Sequence, residues 1–132
     1  MRIVIDSNVW ISALVFGGKP RLIFEHAVAN GWTIVASEEI FTEVRRVLSV
    51  KFIDFVDDFE GFQAILRAQI DKVQLGGIRI TVSRDEDDNR VIETALSGDA
   101  SYIVTGDKDL LMLLKYEDIA ILKPADFLEV IT

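Results

Sequence analysis

Apolar and polar positions along this chain follow two rhythms. Short apolar runs rich in β-branched residues, Ile3-Val4-Ile5, Trp32 to Ala36, Ile78 to Val82, Tyr102-Ile103-Val104 and Ile119 to Leu122, predict about five strands. Runs this short and this apolar suit strands buried on both faces of a parallel sheet. Between them apolar residues recur at helical spacing. Leu22, Ile23, Ala27 and Val28 do so between Arg21 and Asn30, closed by Gly31. Ile40, Phe41, Val44, Val47 and Leu48 do so after Ser37, a side chain able to cap that helix, with Glu38 and Glu39 in the first turn where the helix dipole favours acids. Asp54 to Leu75 carries a broken stripe, read as one helix or as two parted at Gly61. Val91, Ile92 and Ala95 mark a helix between Arg84 and Gly98, Lys108 to Lys115 a short one, and Pro124 the first turn of a closing one. Strands alternating with helices specify an α/β fold: a parallel sheet with right-handed crossovers between two layers of helices.

The stretch Arg2 to Val15 organises the rest. Its strand ends on Asp6, at the carboxyl edge where open α/β sheets place ligands and chemistry. Ser7 and Asn8 then offer caps for a helix, Val9 to Val15, that is apolar on nearly every face and hence buried. Asp6 is thereby held at the heart of the fold. Thr105-Gly106-Asp107 repeats the arrangement at the end of the Tyr102-Ile103-Val104 run, so two strands deliver acids to one edge. Glu43 falls three residues after Ile40 and four before Val47, which sets it beside the buried stripe of its helix; an i,i+3 pair with Arg46 is the plainer use for it. Asp88 precedes Val91 and Ile92 by three and four residues and shares their inward face, while Asp85 and Asp87 read as caps or solvated charges. Capping is also open to Asp88, and Asp109 is an alternative to Asp107.

With 132 residues the chain fits one domain, residues 1–132, large enough for a core without staples. It has no cysteine, which excludes disulfides, thiolate zinc and cysteine nucleophiles and points to a reducing, cytoplasmic setting. No secretory or membrane-spanning run is present, so the reading is of a soluble protein with no membrane partner. His26, the sole histidine, has no second ligand nearby and is read as a surface or packing residue. Twenty-two acidic against fourteen basic residues give a net charge of −8, against nucleic-acid binding through a broad basic surface. Arg45, Arg46 and Lys51 are the densest basic patch and the candidates for phosphate contacts. Inward carboxylates repel one another, and four with no lysine among them call for cations. Oxygen ligands of this kind select Mg²⁺ or Mn²⁺, ions able to assist phosphodiester hydrolysis.

The segments VIDSNVWISAL, EEIFTEVRRVL, RDEDDNRVIETAL and YIVTGDKDLL, in this order and spacing over nearly the whole chain, resemble the PIN domain, a metal-dependent nuclease fold. Within it the chain is most similar to the small PIN proteins described as toxin components of toxin–antitoxin systems. The resemblance implies acidic catalytic and metal-site roles for Asp6, Glu43, Asp88 and Asp107, supporting polar roles for Asn8 and Thr105, and a sheet ordered 3-2-1-4-5. It also implies single-stranded RNA as substrate, a cognate antitoxin as partner and a homodimer. The alternative is a PIN-fold module that binds RNA or protein without turnover. A dinucleotide fold would need G-x-G-x-x-G after the first strand, no P-loop motif occurs, and a phosphoaspartate phosphatase would need an acid where Asn8 stands.

Overall fold

A computed structural model describes residues 1–77 and 79–132. Six strands form one sheet in the order β3-β2-β1-β4-β6-β5, flanked by helices. The strands are β1 (Arg2–Ile5), β2 (Thr33–Ala36), β3 (Ile70–Lys72), β4 (Tyr102–Val104), β5 (Lys115–Tyr116) and β6 (Ile119–Leu122). The helices are α1 (Ser7–Val15), α2 (Gly18–Asn30), α3 (Glu38–Lys51), α4 (Val56–Ile65), α5 (Glu86–Ser97), α6 (Lys108–Leu111) and α7 (Pro124–Ile131), with a 3₁₀ turn at Ile53–Phe55 before α4. All pairings are parallel except β5 with β6. The expected parallel arrangement is thus present, with its last strand extended by a short hairpin.

Strand β1 lies at the centre, between β2 and β4, and Ile3, Val4 and Ile5 are fully buried. Its register against β4 pairs Ile5 with Val104, and the Asp6 amide then donates to the Val104 carbonyl (2.9 Å). Asp6 and Thr105 therefore leave the sheet side by side. Helix α1 is buried along Val9, Trp10, Ile11 and Ala13, as its apolar composition requires. Trp10 is its anchor: the indole packs against Phe24, Phe41, Phe59 and Phe62 with centroids 4.6–5.9 Å apart, tying α1 to α2, α3 and α4.

Four expectations are corrected. The residue capping α1 is Asp6 itself, whose side chain accepts from the Ser7 amide; Ser7 and Asn8 are already helical. The span from Asp54 to Leu75 is not helical throughout: the chain turns after Ile65 and runs into β3. Strand β3 replaces the strand expected over Ile78 to Val82, of which residues 79–82 have no regular structure and Ile78 lies outside the described residues. Residue Lys115, expected at the end of a helix, begins β5. The physical reason for β3 lies at the sheet edge. An edge strand needs backbone pairing to one neighbour and is protected by charge; Asp71 pairs with Arg2 (2.5 Å) and Lys72 with Glu38.

Candidate metal centre

The carboxyl edge of β1 and β4 gathers acids from four elements. Asp6 follows β1, Asp107 follows β4 and caps α6, Glu43 comes from α3, and Asp85 and Asp88 come from the first turn of α5. Asp85, Asp88 and Asp107 are the tightest group among the described residues, each offering a carboxylate oxygen within 4.8 Å of the others. Asp6 and Glu43 stand behind this triad, near enough that Asp6 feels the charge of Asp107 and Glu43 feels that of Asp6.

Hydrogen bonds fix the acids and explain their orientation. Asp6, 3% exposed, accepts at Oδ1 from the Ser7 amide (2.7 Å) and at Oδ2 from the Thr105 hydroxyl (2.7 Å) and the Asn8 amide nitrogen (3.1 Å). The Thr105 hydroxyl in turn accepts from the Asp107 amide (3.0 Å), and Asn8 Oδ1 accepts from the Gly106 amide (2.8 Å). These two side chains therefore couple the ends of β1 and β4. Asp107 Oδ1 accepts from the Asp109 and Leu110 amides at the start of α6, and Asp85 Oδ1 from the Asp87 amide at the start of α5. Asp88 accepts at Oδ2 from the Ser83 hydroxyl (3.2 Å). In each of these three, one oxygen holds the side chain in place and the other is left for a ligand.

The electrostatics are those of an uncompensated acidic cluster. Burial pushes the Asp88 carboxyl up to about 7, and the charges of Asp107, Asp85 and Asp6 push the same way against the Ser83 hydrogen bond. Burial likewise raises Glu43 to about 7, helped by Asp87 and Asp6 and opposed by Ser7 and Arg46. Asp6 is also raised, by burial first, although its hydrogen bonds pull the other way. Mutual repulsion among fixed carboxylates suits a divalent cation bound by oxygen, so the donor set fits Mg²⁺ or Mn²⁺ and lacks the nitrogen and sulfur ligands of a zinc centre.

Asn8 and Thr105 lie in the network that joins Asp6 to Asp107. Arg46 reaches the site's rim, with Nη2 3.8 Å from both Glu43 and Asp87. Arg45 turns away, to Glu38 (2.8 Å) and Glu60 (3.0 Å) and over the Phe59 ring. Lys51 stands at the last residue of α3, two turns beyond Glu43. Asp109 faces Arg84 (3.5 Å) and lies outside the triad, which Asp107 joins. Sequence reasoning read Asp85 as a cap or solvated charge and preferred Asp88 within the run Asp85 to Asp88, whereas both acids join the cluster. The helix spacing held the missing signal: a cap and the third residue after it share one corner of the first turn, so an inward Asp88 brings Asp85 beside it.

The family model described as PIN domain matches residues 2–109. An uncharacterised protein of the archaeon Methanocaldococcus jannaschii, MJ1680, is 36% identical, the match covering 86% of this chain and 75% of that protein. Among solved structures, a chain of VapBC2 from Rickettsia felis, crystallised bound to a DNA fragment from their promoter, shares the fold at 13% identity. The superposition has a TM-score of 0.61 and covers 92% of this chain and 97% of that one.

Proposed function

The chain belongs to the PIN domain family, and on that premise we propose that it is a metal-dependent endoribonuclease cleaving single-stranded RNA, the toxin of a toxin–antitoxin pair. PIN domains are generally nucleases that use divalent metal ions. The observation that carries the reading is the meeting of Asp6, Asp88 and Asp107, with Glu43 and Asp85, at one sheet edge, where hydrogen bonds anchor the four aspartates and burial raises the pKa of Asp6, Glu43 and Asp88.

Asp88 and Asp107 supply the open oxygens of the centre, Asp85 a third, and Asp6 and Glu43 complete its negative wall. A divalent ion bound there supplies charge neutralisation for a phosphodiester and lowers the pKa of water. The chain's own part is positional. Thr105 and Asn8 fix Asp6 relative to Asp107, the caps of α5 and α6 fix Asp85 and Asp107, and Arg46 offers a guanidinium for a phosphate at the rim. With Arg45 held by Glu38 and Glu60 and Lys51 farther along α3, the phosphate contacts centre on Arg46. The fold shared with a chain of VapBC2 supports an antitoxin partner. A homodimer and a cytoplasmic location belong to the same reading; among the described residues no helix is long and apolar enough to cross a membrane.

The test is cleavage of end-labelled single-stranded RNA in Mg²⁺, in Mn²⁺ and in EDTA, by wild type and Asp6→Asn. Metal-dependent cutting that Asp6→Asn removes is expected. Undiminished cutting in EDTA or by the variant would refute the mechanism, and binding without any cutting in either metal would favour a non-catalytic RNA- or protein-binding module.

A further inference from the structure

A groove leaves the acidic cluster along α3. Its first part, of about 540 Å³, is walled by Glu43, Arg46 and Asp87; its end is a cavity of about 260 Å³, and Glu39 and Arg90 line both. Leu75, Arg79 and Glu93 complete the polar and apolar walls of the end cavity. Glu93 is 2% exposed, yet only its Oε2 is engaged, by the Ile80 amide (2.9 Å) and by Arg90 Nη2 (2.7 Å). Its Oε1 has no hydrogen-bond partner among the described residues, and neither does the buried Arg90 Nε. Glu39 and Arg79, on the outer wall, have no ion-pair partner among the described residues either.

The charges lining the cavity balance, two carboxylates against two guanidinium groups. A phosphate would meet as many like charges as opposite ones, and so would a cationic side chain. A neutral, flat group that carries hydrogen-bond donors and acceptors on one edge meets no such conflict. Single-stranded RNA is read in this way, by bases turned out of the stack and bonded along their edges. Of the four bases, guanine alone has two adjacent N–H donors beside a carbonyl acceptor on its pairing edge. The donors suit a carboxylate and the carbonyl a guanidinium.

We infer that this end cavity reads one unstacked base of the RNA substrate, with guanine preferred: Glu93 and Glu39 accept its N–H groups, Arg79 donates to its carbonyl, and Leu75 covers the ring. The inference rests on the ribonuclease reading, since the groove joins the cavity to the acidic cluster.

The test measures binding apart from cleavage. Labelled pentanucleotides with one guanine, inosine, adenine or cytosine among uridines are titrated in EDTA and followed by fluorescence anisotropy. Guanine is expected to bind roughly five- to 150-fold more tightly than adenine or cytosine. Inosine, lacking the second donor, falls between them. Arg79→Ala and Glu39→Gln, exposed changes whose unchanged thermal unfolding is checked first, should flatten the preference. Equal affinity for all four oligonucleotides, or a preference that survives both substitutions, overturns the inference. So does displacement of the guanine oligonucleotide by arginine amide more readily than by GMP, which would place a partner's arginine in the cavity. Metal-dependent RNA cutting with no base preference would overturn the pocket and leave the nuclease standing; guanine-selective binding without cutting would do the reverse.

Discussion

Replacing Asp88 by Asn separates a metal centre from a scaffold by the sign of one stability change. In the metal-free protein the Asp88 carboxyl is raised from 3.8 to about 7 by burial and by Asp107, Asp85 and Asp6. About three units at about 1.4 kcal/mol each make its ionisation cost about 4 kcal/mol in the fold. Water reaching the exposed Asp85 screens part of this, leaving on the order of 2 kcal/mol. The sign follows from proton counting: a carboxyl with a folded pKa above its unfolded value binds more protons when folded, so stability falls as pH rises from about 4 to about 7 and is flat above. Asn removes the charge, keeps an oxygen for the Ser83 hydroxyl, and should raise metal-free stability at pH 8. For a chain of this length about 2 kcal/mol corresponds to roughly 6–10 °C in Tm. At pH 5, where the folded carboxyl is largely protonated, the gap narrows, and it closes only near pH 4, where the unfolded carboxyl is protonated as well.

Metal should invert the order. An ion bound only to the folded protein stabilises it by about 2.7 kcal/mol at a hundred times its Kd, and Asp88→Asn forfeits a ligand. The assay is thermal unfolding of wild type and Asp88→Asn in EDTA at pH 5 and pH 8, and in saturating Mn²⁺ at pH 8. A variant less stable than wild type by the same margin with and without Mn²⁺ would make Asp88 a structural residue and refute the repulsion argument. A wild-type Tm independent of pH between 5 and 8 in EDTA would refute it equally.

Thr105→Val leaves Asp6 Oδ2 and the Asp107 amide short of a buried partner and should cost about 1–3 kcal/mol by denaturant unfolding, with RNA cutting reduced further than stability alone explains; full activity would deny the link between the two strand ends. Arg46→Ala should weaken RNA binding, whereas Arg45→Ala should leave it unchanged and lower stability by no more than about 1 kcal/mol, as filter binding and thermal unfolding would show; the opposite ranking would return the phosphate contact to Arg45. Gly98→Ala would put a methyl 2.2 Å from Val35 Cγ1 and should destabilise by about 1–3 kcal/mol, part of which Val35→Ala in the same chain restores.

How far the sequence discloses this protein depends on which groups carry the information. Elements with a buried apolar stripe were legible: β1, β2, β4, β6 and helices α1, α3, α5 and α7 lie where hydrophobic rhythm puts them, because burial of side chains decides their place. Strand β3 was not, since Ile70-Asp71-Lys72 has one apolar side chain and joins the sheet through backbone bonds to β2, which leave no periodic trace. The hairpin of β5 was hidden in the same way, its turn made by Glu117 at φ 50, a residue without the glycine that usually announces such a conformation.

The acids of the centre divide along the same line. Asp6, Asp88 and Asp107 stood out because each sits where an apolar run or stripe fixes its direction. Asp85 lies on no stripe; what brings it to the cluster is the cap it forms on α5. Glu93 is the sharper case. It lies two residues after Val91 and two before Ala95, on a different helical face from both, yet it is as buried as the core, with Arg90 and the Ile80 amide on one of its oxygens. A carboxylate so placed costs free energy unless it is paired. Arg90 supplies the charge but leaves Oε1 without a bond among the described residues. If Glu93 serves only to anchor the loop before α5 through Oε2, Glu93→Gln, which keeps an acceptor for the Ile80 amide, should lower stability and leave the base preference of RNA binding as it was. If it reads the substrate, the amide nitrogen of the Gln faces the base with a donor in place of an acceptor, and the guanine preference should fall even where the fold survives.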